Sequence, residues 1–266
     1  MLIAHVSDTH VTPEGELLAG RVDSPAQLDR VIDRILAFDT RPDAVLLTGD
    51  LTDRGQPEAY AVLRRILRRL PMPVYAIPGN HDLREPLRAT FADCAWMPTT
   101  PGSRLCYRVA LGPYAVIALD SLVEGSDYGE LGADQLDWLR DQLRALAGRQ
   151  TLVMVHHPPV NSGIAVMDAM RLKDAAQFGA LIAAHGNVER ILCGHLHRSM
   201  HLRWRGSVVS VPVSTVEQLV LAFDPSAPLG TVAEPPGFLL HYLDPADGLI
   251  SHAVPVGTFA GPYHDY

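Results

Sequence analysis

Short apolar runs alternate with amphipathic helical patterns over the first two thirds of the chain, and this alternation limits the possible folds more than any other feature. Six of the runs have the length and composition of β-strands. These runs are residues 2–7, 44–48, 74–77, 114–119, 152–155 and 190–193. Helical spacing of apolar residues follows Ser24 and Pro25, a predicted N-cap and first helical position, and recurs at about residues 57–70, 133–147 and 174–184. Strands and helices in this order predict a layered α/β fold.

The last third of the chain has strand patterns without helices between them. Strands are predicted at residues 201–205, 208–213, 238–243 and 250–255. Gly206 and the pair of Asp247 and Gly248 stand at two of the bends between these strands. The stretch at residues 224–237 is rich in Pro, Ala and Gly, and we expect a loop or a small excursion there.

The composition of the 266 residues narrows the function classes. An apolar fraction of 47% predicts a packed core, and a net charge of −8 without a basic stripe argues against a nucleic-acid polymer as partner. The arginines of the densest basic run, residues 64–69, fall on one side of a helical pattern and are expected to face solvent. The three cysteines make no disulfide framework. With no signal peptide before the first strand and no apolar run of about 20 residues, we expect a cytoplasmic protein that does not enter a membrane.

Polar residues that can bind metal ions follow five of the predicted strands, at the point where each strand ends. They are Asp8 and His10, Asp50, Asn80 with His81 and Asp82, His156, and His195 with His197. In an open α/β sheet, ligands bind at the carboxyl ends of the strands. Each residue alone would be an ordinary turn, cap or surface residue, but their coincidence at five strand ends predicts one site. The other histidines lack this context and are expected to be structural: His5, His157, His185, His201, His241, His252 and His264.

The residue types and their spacing predict the kind of ion. Asp8 and His10, like His195 and His197, are two positions apart, so in an extended segment both side chains of a pair point the same way. Imidazole and carboxylate together suit Zn, Fe, Mn or Co. Seven ligands are too many for one transition metal, and Asp50 is the natural bridge between two ions roughly 3.5–4 Å apart. The sequence therefore predicts a centre of two divalent transition-metal ions.

The ordered motifs Asp-x-His, Gly-Asp, Gly-Asn-His-Asp, His and Gly-His-x-His, spread over residues 8–197, resemble those of the calcineurin-like metallophosphoesterases. Within that family, His-His-Pro-Pro at 156–159, Pro-Gly-Phe at 236–238 and Asp-Gly at 247–248 are most similar to one bacterial branch. That branch contains the class III cyclic-nucleotide phosphodiesterases and the related glycerophosphodiesterases. Ala-Gly-Pro at 260–262 favours the glycerophosphodiesterase side.

The resemblance implies a four-layer α/β/β/α sandwich with two mixed sheets and the metal centre between them. Residues 1–222 would form the catalytic domain, with the strands from residue 201 onward completing the second sheet. Residues 223–266 would complete the sheet or pack at the cleft or at a subunit contact of a possible homo-oligomer. The first ion would be held by Asp8, His10, Asp50 and His197. The second ion would be held by Asp50, Asn80, His156 and His195.

The implied activity is hydrolysis of a small phosphodiester, either a cyclic nucleotide or a glycerophosphodiester, by a hydroxide generated at the two ions. Asn80 and His81 would bind the substrate and take part in catalysis. His81, which is not counted as a metal ligand, is placed to hydrogen-bond a phosphoryl oxygen or to protonate the leaving alkoxide. Asp82 is expected to cap the following turn or to orient His81. The alternatives are a phosphomonoesterase or nucleotidase on the same scaffold, and a non-catalytic binding scaffold.

Two charged residues bear on the choice between diester and monoester. If Glu217 faces the cleft, its charge would repel a monoester dianion more than a diester monoanion, but an outward-facing Glu217 is equally compatible with the sequence. Arg21 follows the first ligand pair and would either pair with an anionic substrate group or be solvated. Ala19, in the same loop, would shape the pocket.

Overall fold

The computed structural model of the chain describes residues 1–244, 246–261 and 263. Within this part of the chain there are six helices, which are α1 (Ser24–Leu36), α2 (Pro57–Leu67), α3 (Arg84–Thr90), α4 (Gly132–Ala145), α5 (Ala165–Ala169) and α6 (Ala175–Ala184). The same described residues form thirteen strands, which are β1 (Leu2–Val6), β2 (Ala44–Leu47), β3 (Val74–Ala76), β4 (Tyr107–Leu111), β5 (Tyr114–Ala118), β6 (Thr151–Met154), β7 (Val188–Leu192), β8 (Met200–Trp204), β9 (Ser207–Val211), β10 (Gln218–Leu219), β11 (Thr231–Val232), β12 (Gly237–Asp244) and β13 (Gly248–Pro255).

The strands form two mixed sheets and one short ribbon. The first sheet has the order β13-β12-β1-β2-β3, in which β1, β2 and β3 are parallel and β12 and β13 are antiparallel. The second has the order β4-β5-β6-β7-β9-β8, with a parallel centre and antiparallel strands at both edges. β10 and β11 pair with each other in a two-stranded ribbon.

Apolar cores lie between four layers. One core is shared by the first sheet and by α1 and α2, and another by the second sheet and by α4 and α6. A third core lies between the sheets, where Ile3 and Leu46 of the first sheet share a cluster with Val116 and Leu192 of the second. Because successive side chains of a strand point to opposite faces, each central strand contributes to two of these cores. The order of helices, sheet, sheet and helices confirms the predicted four-layer sandwich.

The start of α1 differs by one residue from the prediction. The N-cap is Asp23, whose carboxylate accepts from the Ala26 N–H at 3.0 Å, and not Ser24. The Ser24 side chain is buried and accepts instead from the Thr12 N–H at 3.1 Å. Asp and Ser are both good caps, so the sequence alone could not decide between neighbours.

The last strands pair differently from the expectation. β8 and β9 join the second sheet as predicted, but β12 and β13 join the first sheet, where Ile3 lies opposite His241. The expectation that every strand after residue 201 completes the second sheet is therefore wrong. A strand pattern gives the faces of a strand but does not identify its neighbour. The division of the chain at residue 222 stays a prediction.

Several short elements were not predicted from the sequence, namely α3, α5, β4 and the β10–β11 ribbon. β11 lies inside the stretch 224–237 that was expected to be a loop, and two residues are too few for a periodic pattern. Pro262, from the motif that favoured glycerophosphodiesterases, and His264 lie outside the described residues. No helix in the described part of the chain is long and apolar enough to cross a membrane.

Candidate metal centre

The seven residues predicted as ligands lie at the carboxyl ends of neighbouring strands. Those of the first sheet follow β1, β2 and β3, and those of the second follow β6 and β7. The edges of the two sheets meet here, as a hydrogen bond across the gap from His156 Nδ1–H to the Thr48 carbonyl at 2.7 Å shows. The structure therefore brings both groups of residues together at one site.

The first cluster consists of Asp8, His10, Asp50 and His197, whose candidate ligand atoms all lie within 4.8 Å of one another. His10 Nε2 is 3.0 Å from His197 Nε2 and 3.6 Å from an Asp50 oxygen. His197 Nε2 is also 3.6 Å from an Asp8 oxygen. Four donor atoms converge on one point, as a single ion requires.

The second cluster is arranged around Asn80. Its Oδ1 lies 3.1 Å from His156 Nε2 and 3.0 Å from His195 Nδ1. His156 Nε2 is in turn 3.3 Å from Asp50 Oδ2. Asp50 therefore belongs to both clusters. His157, which was expected to be structural, lies beside this cluster, with one ring nitrogen within 4.8 Å of ring nitrogens of His156 and His195.

The electrostatics of the site fit a cation. Asp8 and Asp50 are buried, and in the described structure the ion-pairing partners of these two carboxylates are histidines rather than Lys or Arg. Burial disfavours a charged His156, yet the Asp50 carboxylate outweighs this and raises the pKa of His156 to about 9. Burial lowers the pKa of His195 to about 3, which leaves that ring neutral, the form that binds metals.

The close approach of two imidazoles gives a second indication of a metal. The Nε2 atoms of His10 and His197 face each other at 3.0 Å, which a shared ion explains better than a lone bond between two imidazoles. The residues present therefore fit the metal centre that the sequence predicts.

Backbone strain is concentrated at the same residues. Among the described non-glycine residues, seven have a positive φ, and five of these are predicted ligands. The five are Asp8 (55°), His10 (41°), Asp50 (49°), His195 (73°) and His197 (45°). Such conformations cost free energy and persist where the surrounding structure enforces them, typically at functional sites. The neighbouring Gly79 is also required, because a Cβ there would overlap the Asp50 carboxylate.

Main-chain carbonyls orient two of the imidazoles. The Thr48 carbonyl accepts from His156 Nδ1, and the Glu217 carbonyl accepts from His197 Nδ1 at 2.9 Å. Because a carbonyl only accepts, Nδ1 of each ring carries a proton, and Nε2 is the nitrogen that faces the clusters. Such outer contacts fix the tautomer and orientation of metal-binding histidines.

His81 lies between the clusters and solvent, and its side chain is 41% exposed. Its main-chain N–H donates to Asp50 at 2.9 Å, and its Nδ1–H donates to the Asp53 carbonyl at 2.8 Å. The Asp53 carboxylate is also 3.9 Å from His81 Nδ1 and 3.8 Å from His10 Nδ1. Asp53 was not predicted from the sequence, although its position three residues after Asp50, in the same strand-end loop, is a signal that could have identified it.

Asp82 does neither of the things expected of it. Its buried carboxylate accepts from the main chain of Gly79 at 2.9 Å and of Leu51 at 3.0 Å, and from the Tyr60 hydroxyl at 2.7 Å. It neither orients His81 nor caps the turn that follows it. Asp82 joins the loop that carries Asn80 to the loop that carries Asp50.

A cavity of about 360 Å³ opens beside His81 and both clusters. Its apolar wall consists of Leu18, Ala19, Met167, Met170, Val216, Leu219 and Leu229. Glu217 faces this cavity, and Arg21 binds it with two hydrogen bonds, at 2.8 Å from Nε and 2.7 Å from Nη2. The same guanidinium donates to Thr231 of β11 at 3.0 Å. Of the two orientations left open for Glu217, the structure shows the one toward the cleft, with its charge compensated.

Comparison with known proteins identifies a family and a fold. A family model described as calcineurin-like phosphoesterase matches residues 1–199. A protein of Arcobacter nitrofigilis named probable glycerophosphodiester phosphodiesterase GpdQ is 34% identical, over 100% of this chain and 97% of its own length. A cAMP/cGMP dual specificity phosphodiesterase of Mycobacterium tuberculosis is 33% identical, over 98% of this chain and 83% of its own length. The fold is similar to that of a dimetal phosphatase from Danio rerio, with a TM-score of 0.66 at 14% identity, over 97% of this chain and 99% of that one.

Proposed function

Since the chain belongs to the calcineurin-like phosphoesterase family and is a metal-dependent phosphoester hydrolase, we propose that it cleaves a small phosphodiester, either a cyclic nucleotide or a glycerophosphodiester. The observation that carries this proposal is the position of Asp50. One of its carboxylate oxygens is 3.6 Å from His10 Nε2 in the first cluster and 3.3 Å from His156 Nε2 in the second. A shared carboxylate is the arrangement that two adjacent ions need.

The ligand assignment follows the two clusters. The first ion would be held by Asp8, His10, Asp50 and His197. The second would be held by Asp50, Asn80, His156 and His195. Mixed imidazole and carboxylate donors suit Fe, Mn, Zn or Co, and which pair the protein uses depends on availability as well as on these ligands. When bound, the two ions supply Lewis acidity toward the phosphoryl oxygens and lower the pKa of a bound water.

The part of the reaction assigned to His81 is proton transfer to the leaving alkoxide. With Nδ1 bonded to the Asp53 carbonyl, the ring orientation is fixed and Nε2 remains for the substrate. The Asp53 carboxylate lies 3.9 Å from the same Nδ1. Asn80 would contact the same phosphoryl group, since it precedes His81 in the loop and lines the same cavity.

The cavity wall favours a diester over a monoester. A diester has two organic groups, and the apolar wall beside the clusters can pack against the second of them. Glu217 repels a monoester dianion only weakly, because Arg21 compensates the charge of that carboxylate. A cytoplasmic location, a homo-oligomer and the absence of nucleic-acid partners stay predictions.

The test compares bis(p-nitrophenyl) phosphate with p-nitrophenyl phosphate as substrates. The enzyme is stripped with chelator and then reloaded separately with Mn, Co, Zn and Fe(II). Metal-restored activity that favours the diester supports the proposal, and panels of cyclic nucleotides and glycerophosphodiesters then separate the two substrate classes. Preference for the monoester would support the phosphomonoesterase alternative. Absence of turnover with two ions bound would contradict hydrolysis itself.

A further inference from the structure

A chain of polar side chains crosses the otherwise apolar core between the two sheets. His5 of β1 and His241 of β12 are both buried there, with His5 Nδ1 3.3 Å from His241 Nε2. On one side His5 Nε2 lies 2.9 Å from the Thr48 hydroxyl oxygen. On the other side His241 Nδ1 lies 2.7 Å from the Ser251 hydroxyl oxygen, which also accepts from Arg190. Five side chains from both sheets are therefore connected.

The direction of the first bonds follows from what each group can donate. Arg190 only donates, so the Ser251 oxygen accepts from it, and His241 Nδ1 is the acceptor that the described structure offers to the Ser251 hydroxyl proton. Burial lowers the pKa of both rings, that of His5 to about 3, so each ring is neutral with one donor and one acceptor. His241, which accepts at Nδ1, must then carry its proton on Nε2 and donate to His5 Nδ1.

The same reasoning continues to the other end of the chain. His5 accepts at Nδ1, so its Nε2–H donates to the Thr48 hydroxyl oxygen, and the Thr48 hydroxyl donates to the Cys193 carbonyl at 3.2 Å. With every bond reversed, Thr48 would donate to His5 and the Cys193 carbonyl would lose its bond. The half-buried Ser251 hydroxyl would also lack an acceptor within the described structure. A buried polar group without a partner, here the Cys193 carbonyl, costs free energy, so the forward direction is the stable one.

The chain of bonds ends beside the proposed metal ligands. Thr48 stands two residues before Asp50, and Cys193 stands two residues before His195. The Thr48 main-chain carbonyl is the acceptor that orients His156 through Nδ1 at 2.7 Å. A fixed Thr48 side chain therefore fixes the carbonyl that aims His156 at the second cluster.

We propose that His5 and His241 are positioning residues of the metal centre, each with its proton on Nε2, and that they hold Thr48 and through it His156. The role in metal binding rests on the ligand set proposed above, whereas the proton positions do not depend on it. The ion held by His156, Asn80 and His195 depends on this chain of bonds more than the ion held by Asp8, His10 and His197.

The proton positions are tested by NMR on protein with ¹⁵N-labelled histidine, loaded with Zn²⁺, which is diamagnetic. Long-range ¹H–¹⁵N correlation identifies the protonated nitrogen of each ring. Protons on Nε2 of both His5 and His241 are expected. A proton on Nδ1 of either ring would mean that the bonds run the other way, and would overturn the proposal.

The positioning role is tested by calorimetric titration of the metal-free protein with Zn²⁺. His5→Leu removes both bonds of the ring, and we expect the affinity of one of the two ions to fall about 10- to 100-fold while the other changes little. His5→Gln keeps a donor for Thr48 and an acceptor for His241, so it should bind both ions within about threefold of the unmodified protein. His252→Leu is the control, because the exposed His252 side chain on β13 takes no part in these bonds.

If His5→Leu does not fold, Ser251→Ala provides the test. It removes the bond between Ser251 and His241 and leaves both imidazole rings in place. We expect it to lower the affinity of the same ion about 3- to 10-fold. Unchanged Zn²⁺ affinities in the folded variants would overturn the positioning role alone. If the unmodified protein binds fewer than two ions, the proposed ligand set fails and the positioning role fails with it, even where NMR shows both protons on Nε2.

Discussion

At the scale of single residues, His81 and Asp50 are neighbours, but their replacement should affect metal binding and turnover differently. The His81 ring packs edge-on against His10 at 4.6 Å, but in the described structure only its main-chain N–H bonds a proposed ligand, so His81→Ala should keep metal content near normal. It removes the proton donor for the leaving group, and turnover should fall about 10²–10⁴-fold. The metal content of the purified variant and its turnover of bis(p-nitrophenyl) phosphate are the two quantities to measure.

Asp50→Ala is the contrasting variant, because Asp50 belongs to both clusters. It should lose metal and activity together. Loss of metal in His81→Ala would contradict the role given to His81, and two retained ions in Asp50→Ala would contradict the bridging carboxylate.

The gathering of the proposed ligands at neighbouring strand ends could be predicted from sequence because the signal for each residue is local. Asp8 and His10 share a strand end, and spacing alone places them side by side. The contacts that orient the site could not be predicted, because they join distant segments. The Glu217 carbonyl that accepts a hydrogen bond from His197 Nδ1 is an example, since every residue type has a main-chain carbonyl and its contacts cannot be inferred from the sequence. The pairing of His5 with His241 depends on the register between β1 and β12, which the sequence does not reveal.

At the scale of elements, the Arg21–Glu217 pair links the loop after β1 to the β10–β11 ribbon across the cavity. The Glu217 side chain is only 12% exposed, so solvent screens its charge poorly. Once Arg21 no longer compensates this charge, it repels an anionic substrate in the cavity. Arg21→Gln should therefore lower kcat/KM for p-nitrophenyl phosphate, a dianion, roughly 3- to 10-fold more than for the diester. The ratio of the two kcat/KM values, measured at low ionic strength, is the quantity to follow.

The double variant Arg21→Gln/Glu217→Gln is the matched control, because it removes both charges and should restore the original ratio. A ratio that shifts equally in the single and double variants would show that the ribbon had moved and that charge was not the cause. The sequence predicts some elements better than others. The apolar run of β1 predicts a strand, whereas the two-residue strands β10 and β11 are recognised only by their pairing with each other.

At the scale of the whole molecule, the buried histidines between the sheets connect stability to pH. The pKa of His5 falls from its usual 6.5 to about 3, chiefly because burial disfavours the charged ring. Between these two values the unfolded chain binds a proton that the native protein does not. Unfolding therefore becomes more favourable as pH falls below about 6.5, by at most about 5 kcal/mol for this group by pH 3.

His5→Gln removes that proton uptake, so the free energy of unfolding of the variant should depend less steeply on pH between about 6.5 and 3. The difference in slope should approach about 1.4 kcal/mol per pH unit in the middle of this window. Urea unfolding of both proteins at several pH values measures it, with chelator present so that metal release adds no pH dependence of its own. His252→Gln, which changes an exposed histidine of β13, should leave the slope unaltered. Equal slopes for His5→Gln and the unmodified protein would mean that acid reaches His5 in the native state, and the core between the sheets would then be less closed than its burial indicates.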